Sequence, residues 1–524
     1  MKKTLGLAGI VVMAIGCGGA AVHEPRSAGG AHVEAPASSG SAPESTPPKA
    51  RAWTLPAEPR DPKAPPPEPK DVGTEAWTKA SKVKGVPPAA PQPCGSFAKP
   101  AAVKPAPTDL STAMADKDLV KRNAALATIE TGKPDLAPVL RAMRAALAPI
   151  ECADVITDPA LSASAKPTGA AGRMMIGISL ASKLSRTAAN APVMKDASDK
   201  EKVKRFIQGP LRQWMVEQAS AIDALSAPAS ELAGIARGVV AIEAGLADLR
   251  LVDRIRSAPT PSTWDAELKA VYEAALDEAL EPRKTRGRDA ALVGLADFAA
   301  AGIVQDARVD RARALLSKLY GGRRIDALDA LVLPPADAST SPIPERVLSL
   351  VPSEPAKRDA FAQLGLTPPP SPKSARARLE MGKKYWRRVD FVEAAHAASK
   401  ETGPDAQLVL ATSLALAKGP NGAKEMMTAA SPGALHLNDT DALDALASEA
   451  APAIAAMAAF DAAHLRSLSA PEGDAAAPYL TDVAARFRKA AGLLEDPAQK
   501  KRAEERAADA DAAAKVVGKP AGAS

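Results

Sequence analysis

Apolar residues recur at helical spacing through most of the chain after about residue 108. In one clear case five of them fall at i, i+3, i+4, i+7 and i+11, namely Leu136, Val139, Leu140, Met143 and Leu147. This spacing places all five on one face of an amphipathic helix. Gly132 and Pro134 separate that helix from one predicted at 118–130, because glycine suits a helix C-terminus and proline the first turn of the next helix.

Similar patterns predict further helices, and Gly, Pro or Ser-Ala-Pro breaks separate them every 12 to 25 residues or so. No stretch has the alternation of β-branched, aromatic and polar residues that is typical of strands. The sequence therefore predicts an all-α protein, an irregular α-solenoid of stacked helical hairpins. Its first hairpin resembles a HEAT-like unit. The further predicted helices are 170–189, 198–207, 210–225, 230–256, 264–280, 288–301, 306–319, 325–331, 356–364, 440–450, 452–468 and 479–494.

Proline-rich segments divide the chain. The return of prolines at 334–374 indicates a connector between helical modules at 108–333 and 375–496. The last segment, 497–524, alternates charged residues with alanine and has few large apolar side chains. Because it has little to pack with, we expect a solvated or frayed tail.

Residues 17–107 are dense in proline, alanine, serine and charge and low in large apolar side chains. Such a composition buries too little apolar surface to offset the entropy of ordering, which predicts a disordered tether with polyproline II character. A flexible coil of that length spans roughly 50 Å. Trp53 and Trp77 are exceptions: each marks either a short docking segment or a side chain that packs back on the body.

Composition supports the helical prediction. Hydrophobic residues are 46% of the 524 but aromatic residues only 3%, and alanine, the best helix former, supplies much of the apolar share.

The net charge is +6 and is spread through the chain. A basic run at 283–288 is flanked by acidic residues, so we interpret it as a solvated helix end or loop and expect no nucleic-acid partner.

The first 17 residues have the pattern of an export signal. Lys2 and Lys3 precede an apolar run of about eleven residues, shorter than the roughly 20 that a membrane-spanning helix needs. Small residues then lead to Cys17 in the sequence Ala14-Ile15-Gly16-Cys17. This pattern resembles the lipobox of bacterial lipoproteins, although the family usually has Leu where Ala14 stands.

The resemblance implies that 1–16 is a removed signal peptide and that Cys17 carries the lipid, with acyl chains such as palmitate holding the protein in a membrane. Gly18 rather than Asp follows the cysteine, which by resemblance to the enterobacterial sorting rule implies the outer membrane, facing the periplasm. The alternative is an ordinary secretory signal with an incidental cysteine.

The remaining two cysteines, Cys94 and Cys152, form an even pair if Cys17 is lipidated. In an oxidising compartment this predicts a disulfide bond between them. A metal site from these two alone is disfavoured, because neither has a cysteine or histidine nearby at ligand spacing.

Small and large residues alternate after the connector at the spacing of a tetratricopeptide repeat. The first unit has Gly382, Tyr385 and Ala394, and the second has Ala411, Leu414 and Ala423. Segment 375–430 therefore resembles that family, in which small residues let paired helices cross closely. The two units lie 29 residues apart, whereas the family repeat is typically about 34. A generic pair of helical hairpins is the alternative.

Few residues point to chemistry. Two carboxylate–histidine pairs stand at i, i+3, namely Glu393 with His396 and Asp461 with His464. Dinuclear metal sites use this spacing, but they also need carboxylates from two further helices, which are not evident in the sequence. We interpret these four as surface or rim side chains. Ser179 sits in a sequence similar to a nucleophile elbow, but its flanks predict a helix and hence a buried helix serine. We expect no cofactor and no metal.

The resemblance to tetratricopeptide-containing envelope lipoproteins implies a non-catalytic scaffold that binds a protein or peptide. A groove lined by Tyr385, Trp386 and Phe391 is the expected surface. An enzyme with an unrecognised site is the second hypothesis, and a polar pocket holding His396 or His464 among carboxylates would favour it. A purely structural envelope spacer is the third.

Overall fold

The computed structural model describes residues 53–57, 74–163, 169–320, 323–335, 343–366 and 374–518. Leu55–Ser524 is one compact unit, and Met1–Thr54 is a separate one of which Trp53 and Thr54 are described. Over the described residues the chain is all-helical and has no strand. The predicted signal peptide and Cys17 lie outside the described residues.

The helices are short in the N-terminal part and longer in the centre and at the C-terminus. In the first half they are α1 Thr74–Ser81, α2 Pro91–Ala98, α3 Leu110–Ala115, α4 Leu119–Gly132, α5 Ala137–Leu147, α6 Asp154–Ala163, α7 Gly169–Arg186, α8 Lys200–Phe206, α9 Arg212–Ser226, α10 Gly234–Arg256 and α11 Ala266–Ala300. In the second half they are α12 Ala307–Leu319, α13 Glu345–Leu348, α14 Pro355–Gln363, α15 Ala375–Tyr385, α16 Arg388–Ala398, α17 Pro404–Leu416, α18 Ala423–Thr428, α19 Asp441–Glu449, α20 Pro452–Leu468, α21 Ala476–Leu493 and α22 Pro497–Val517.

Helices α10 and α11 form an antiparallel pair in the centre of the unit. Near one end Arg256 Nε lies 3.0 Å from Asp277 Oδ1, and further along Gly245 faces Gly287. A Cβ atom at Gly245 would lie 2.5 Å from the Gly287 carbonyl oxygen, closer than side chains tolerate. Glycine at this point therefore lets the two backbones touch.

Helix α11 is continuous where the sequence predicted two helices separated near Pro282. Pro282 lies on the exposed face of the helix, so the carbonyl group left without an N–H partner faces water. The next residue, Arg283, is buried and contacts the carboxylates of Asp223 and Asp248, at 2.7 and 2.9 Å. The prediction that the basic run is a solvated helix end or loop is therefore wrong for Arg283.

The segment from Thr74 to Ala98 belongs to the folded body rather than to a disordered tether. Trp77, Cys94 and Phe97 are buried, and the Trp77 indole N–H donates to Ser179 Oγ at 2.7 Å. A disulfide bond joins Cys94 to Cys152, whose Cα atoms are 5.0 Å apart. The few large apolar residues of this segment thus pack on the body, and Trp77 follows the second of its two predicted alternatives.

The C-terminal residues 497–517 form a packed helix, α22, and not a frayed tail. Ala503, Ala507, Ala510 and Ala514 are buried in one stripe against α21. Alanine at this spacing lets two helices approach closely, so large side chains are not needed to bury a face.

The proline-rich segment between the predicted modules contributes to the core where it is described. Val347 of α13 and Phe361 of α14 are fully buried. The Arg346 guanidinium donates to the Ala146 carbonyl at 2.6 Å, and Leu110 N–H donates to the Leu364 carbonyl at 2.7 Å. This segment therefore contacts elements far earlier in the chain. The proposed division into two helical modules stays a prediction.

None of the helices in the described part of the chain is both long enough and apolar enough to cross a bilayer.

Candidate functional site

The three aromatic residues expected to line a binding groove are buried. Tyr385, Trp386 and Phe391 expose 2%, 1% and 1% of their surface. The Tyr385 hydroxyl donates to the Ile303 carbonyl at 2.5 Å, and the Trp386 indole N–H donates to the Ile325 carbonyl at 2.8 Å. The expectation of an aromatic groove is wrong, because a chain with few aromatic residues uses these three to fill its core.

The residues assigned to repeat packing lie between helices α15 to α18. Gly382, Ala394, Ala411 and Ala423 are buried, and Leu414 is half-buried. A Cβ atom at Gly382 would overlap the Phe391 ring, so glycine is what lets α16 lie close to α15. The packing role of a small residue is visible here, whereas membership of the repeat family stays a prediction.

The two carboxylate–histidine pairs are not at a common site. His396 Nε2 lies 2.7 Å from the Pro56 carbonyl, and Glu393 pairs with Arg378. Asp461 and His464 are buried in α20, so their interpretation as surface or rim side chains is wrong. Within the described ranges, no group of three or more His, Cys, Asp or Glu side chains is placed to hold a metal ion.

Burial sets the protonation of Asp461 and His464. It raises the pKa of the Asp461 carboxyl to about 8, although Asp461 Oδ1 accepts a hydrogen bond from Val332 N–H at 2.7 Å. Burial also lowers the pKa of His464 to about 4, and the nearby Arg506 and Arg502 lower it further. Both side chains are therefore uncharged at neutral pH.

Ser179 lies in the middle of helix α7 and is fully buried, as the helical flanks predicted. Its hydroxyl accepts from Trp77 and donates to Asp158 Oδ1 at 2.5 Å. The Lys183 ammonium donates to Asp158 Oδ2 at 2.6 Å. These bonds hold α1 and α6 on α7, so the serine is part of a structural network.

An exposed apolar feature with two aromatic rings lies at the start of α11. We define the α11 stripe as Trp264, Leu268, Val271 and Tyr272. Leu268 and Val271 are 45% and 61% exposed, and the half-buried rings of Trp264 and Tyr272 meet edge to face with centroids 5.3 Å apart. Leu268, Val271 and Tyr272 stand at i, i+3 and i+4 and so share one helix face, and Trp264, two residues before the helix begins, packs on Tyr272.

The register of the central pair explains why the stripe is uncovered. Arg256, the last residue of α10, lies opposite Asp277 of α11. The first ten residues of α11 therefore extend about 15 Å beyond the end of α10. They have no α10 residue opposite them, so their apolar face stays exposed to solvent.

Acidic residues border the stripe. Glu267 and Glu278 are exposed and fall on one side of it at helical spacing, and Glu273 is exposed further round the helix. Asp265 caps the helix by accepting from the Leu268 N–H at 2.7 Å. The stripe is thus an apolar surface with an acidic margin, suited to contact with a partner that is both apolar and basic.

The apolar spacing of the stripe is present in the sequence, within the helix predicted at 264–280. Nothing in that spacing tells which apolar face a neighbouring helix covers, so the stripe cannot be recognised from the sequence. No family model matches the chain, and neither a curated protein nor a solved structure matches it.

Proposed function

We propose that this chain is a cell-envelope lipoprotein, anchored through an acylated Cys17 in the outer membrane and facing the periplasm, whose helical body is a non-catalytic scaffold for another protein. The α11 stripe is the contact surface, and its exposure is the observation that carries the proposal. Exposed apolar patches bordered by polar residues are typical of protein–protein contact sites. The finer architecture, an irregular α-solenoid with tetratricopeptide-like packing at 375–430, is part of the same proposal.

The occupant we propose is an amphipathic helix of a partner protein, with Lys or Arg beside its apolar face. Helix α11 presents Leu268, Val271 and Tyr272 over a little more than one turn, and Trp264 extends this apolar surface beyond the helix start, which suits contact with a second helix. Glu267 and Glu278 on the margin supply complementary charge for such a partner.

Site-directed photo-crosslinking tests the contact in intact cells. A photoreactive residue replaces Ala275, which is exposed one turn beyond Val271, in the full-length chain. Crosslinked peptides that map to an amphipathic basic helix of another protein support the proposal. Peptides from a second copy of this chain, from an acidic segment, or no crosslink at all would contradict it.

A stripe variant tests whether the contact holds the partner. Leu268→Asp with Val271→Asp should abolish crosslinking because it places two charges in the apolar interface. Val216→Asp is the matched control, since Val216 is 48% exposed on α9, away from the stripe. Circular dichroism confirms that each variant is folded. A purely structural spacer predicts equal crosslinking in all three proteins.

The anchor has its own test. Cells labelled with a palmitate analogue should attach label to the wild-type chain and none to Cys17→Ser, and the variant should leave the membrane fraction. Label retained on Cys17→Ser would refute lipidation at this residue without bearing on the stripe.

A further inference from the structure

A cationic cleft lies among α20, α22 and two short 3₁₀ turns, Ala327–Ala330 and Pro432–Leu435. Its volume is about 400 Å³, within the range of small-molecule sites. We call it the arginine cleft, since its lining includes Arg323, Arg324, Arg502 and Arg506. His464 and the carboxylates of Asp326 and Asp329 also line it.

The acidic residues of the cleft do not balance its arginines. Asp326 is held by Arg324, with nitrogen–oxygen distances of 3.0 Å, and Asp329 is bound by Arg313 at 2.8 Å. Within the described part of the chain, neither Arg502 nor Arg506 forms an ion pair with a carboxylate. The cleft therefore carries an excess of positive charge.

The two unbalanced arginines are held in place. They stand one turn apart on α22, whose alanine stripe is buried against α21, so both face the cleft from a fixed helix. The Arg502 guanidinium lies over the Phe460 ring, 5.6 Å from its centroid. Two guanidinium forks at this spacing can each donate two hydrogen bonds to the oxygens of one tetrahedral anion.

His464 is a buried residue of the lining. His464 is 3% exposed, and its Nε2 lies 2.9 Å from the Ala327 carbonyl, so this nitrogen carries the hydrogen. The other ring nitrogen, Nδ1, is left as an acceptor, and it has no hydrogen-bond partner among the described residues. His464 is therefore a neutral part of the lining and adds no charge to the cleft.

We infer that the arginine cleft binds a phosphate monoester, with the phosphate held by Arg502 and Arg506. Arg502 and Arg506 together carry two positive charges, which match the roughly −1.5 to −2 of a phosphate monoester at neutral pH. The source is a soluble sugar or polyol phosphate or a phosphatidic acid headgroup. The inference does not depend on the proposed protein contact at the α11 stripe.

Calorimetric titration of the full-length Cys17→Ser chain tests the ligand class. Glycerol 3-phosphate is the soluble probe, and succinate is the dicarboxylate of similar size. Sedimentation with vesicles of phosphatidylcholine, with and without phosphatidic acid, tests the lipid source. Binding of glycerol 3-phosphate or of phosphatidic acid vesicles, with succinate at least tenfold weaker, supports the inference. Binding of neither phosphate, or equal binding of succinate, would overturn it.

Variants locate the site. Arg502→Gln with Arg506→Gln should weaken phosphate binding at least tenfold, and Arg506→Lys, which keeps the charge but loses the fork, should weaken it less. Lys501→Gln is the matched control, because Lys501 is a 76% exposed cation on the same helix, outside the cleft lining. Unchanged binding in the double variant, or an equal loss in Lys501→Gln, would refute this assignment. Melting curves establish that the variants fold.

Discussion

Replacing Asp461 by Asn should stabilise the protein, and the gain should grow as the pH rises. Asp461 is fully buried in α20, where Oδ1 accepts the Val332 N–H and Oδ2 has no hydrogen-bond partner among the described residues. Burial raises the pKa of this carboxyl to about 8, whereas an unfolded Asp has a pKa of about 3.9. Folding therefore keeps a proton on Asp461 that the unfolded chain releases.

The sign follows from proton binding. Between about pH 4 and pH 8 the folded state binds more protons at this site than the unfolded state, so the free energy of unfolding falls as the pH rises. Each pH unit removes about 1.4 kcal/mol, which amounts to about 4 kcal/mol from pH 4 to pH 7. Below about pH 4 the carboxyl is protonated in both states and contributes no slope.

His464 contributes the opposite slope over part of this range. Burial lowers its pKa to about 4, so between about pH 4 and 6.5 the unfolded chain binds a proton that the folded protein does not. The two slopes cancel there. From about pH 6.5 to 8 only Asp461 contributes a slope. The free energy of unfolding of the wild-type protein should therefore fall by about 2 kcal/mol over that range.

The amide side chain in Asp461→Asn keeps an oxygen that can accept from Val332 and cannot ionise. The advantage of this variant over wild type should therefore increase by about 1.4 kcal/mol per pH unit between pH 4 and 8. Urea unfolding followed by circular dichroism at several pH values in that range measures it. Asp405→Asn, at an exposed position of α17, is the control. An advantage that is the same at every pH, or a variant less stable than wild type at pH 8, would refute the reasoning.

Two further stability predictions follow from the fold. Replacing Cys94 and Cys152 by Ser should lower the free energy of unfolding by about 4 kcal/mol, because the disulfide closes a loop of 58 residues and so restricts the unfolded chain. Urea unfolding measures this loss. Dithiothreitol should destabilise the wild-type protein and have no further effect on the variant. Gly245→Ala should lower the free energy of unfolding by about 1–3 kcal/mol, and with it the melting temperature, because the new Cβ would push against the Gly287 carbonyl. Gly132→Ala is the control, since the space around its new Cβ is open, and it should not lower the melting temperature.

Local sequence information located many of the helices. The helix predicted at 118–130 is observed as Leu119–Gly132, with the Asp118 side chain accepting from two backbone N–H groups at its start. The helix predicted at 170–189 is observed as Gly169–Arg186. Capping residues, proline and glycine act within one or two turns, so they can be recognised without the fold.

The wrong predictions have one physical cause, because local sequence does not tell which neighbouring element a helix face meets. The alanine stripe of α22 offers too little apolar area to identify from composition, and it becomes a core face because α21 lies against it. Tyr385 and Trp386 were expected on a surface, but each side chain meets a distant backbone carbonyl in the interior.

The sequence by itself determined the all-helical class and indicated the pairing of Cys94 with Cys152, because helical periodicity and cysteine number can be read without the fold. The lipidation of Cys17 stays a prediction. Only the tertiary structure decided which faces are covered. The α11 stripe is exposed because α10 ends at Arg256, and the arginine cleft forms because α22 folds back beside α20. The cleft joins residues as far apart in the chain as Arg323 and Arg506, and the stripe depends on where a neighbouring helix ends in space, so local patterns predict neither.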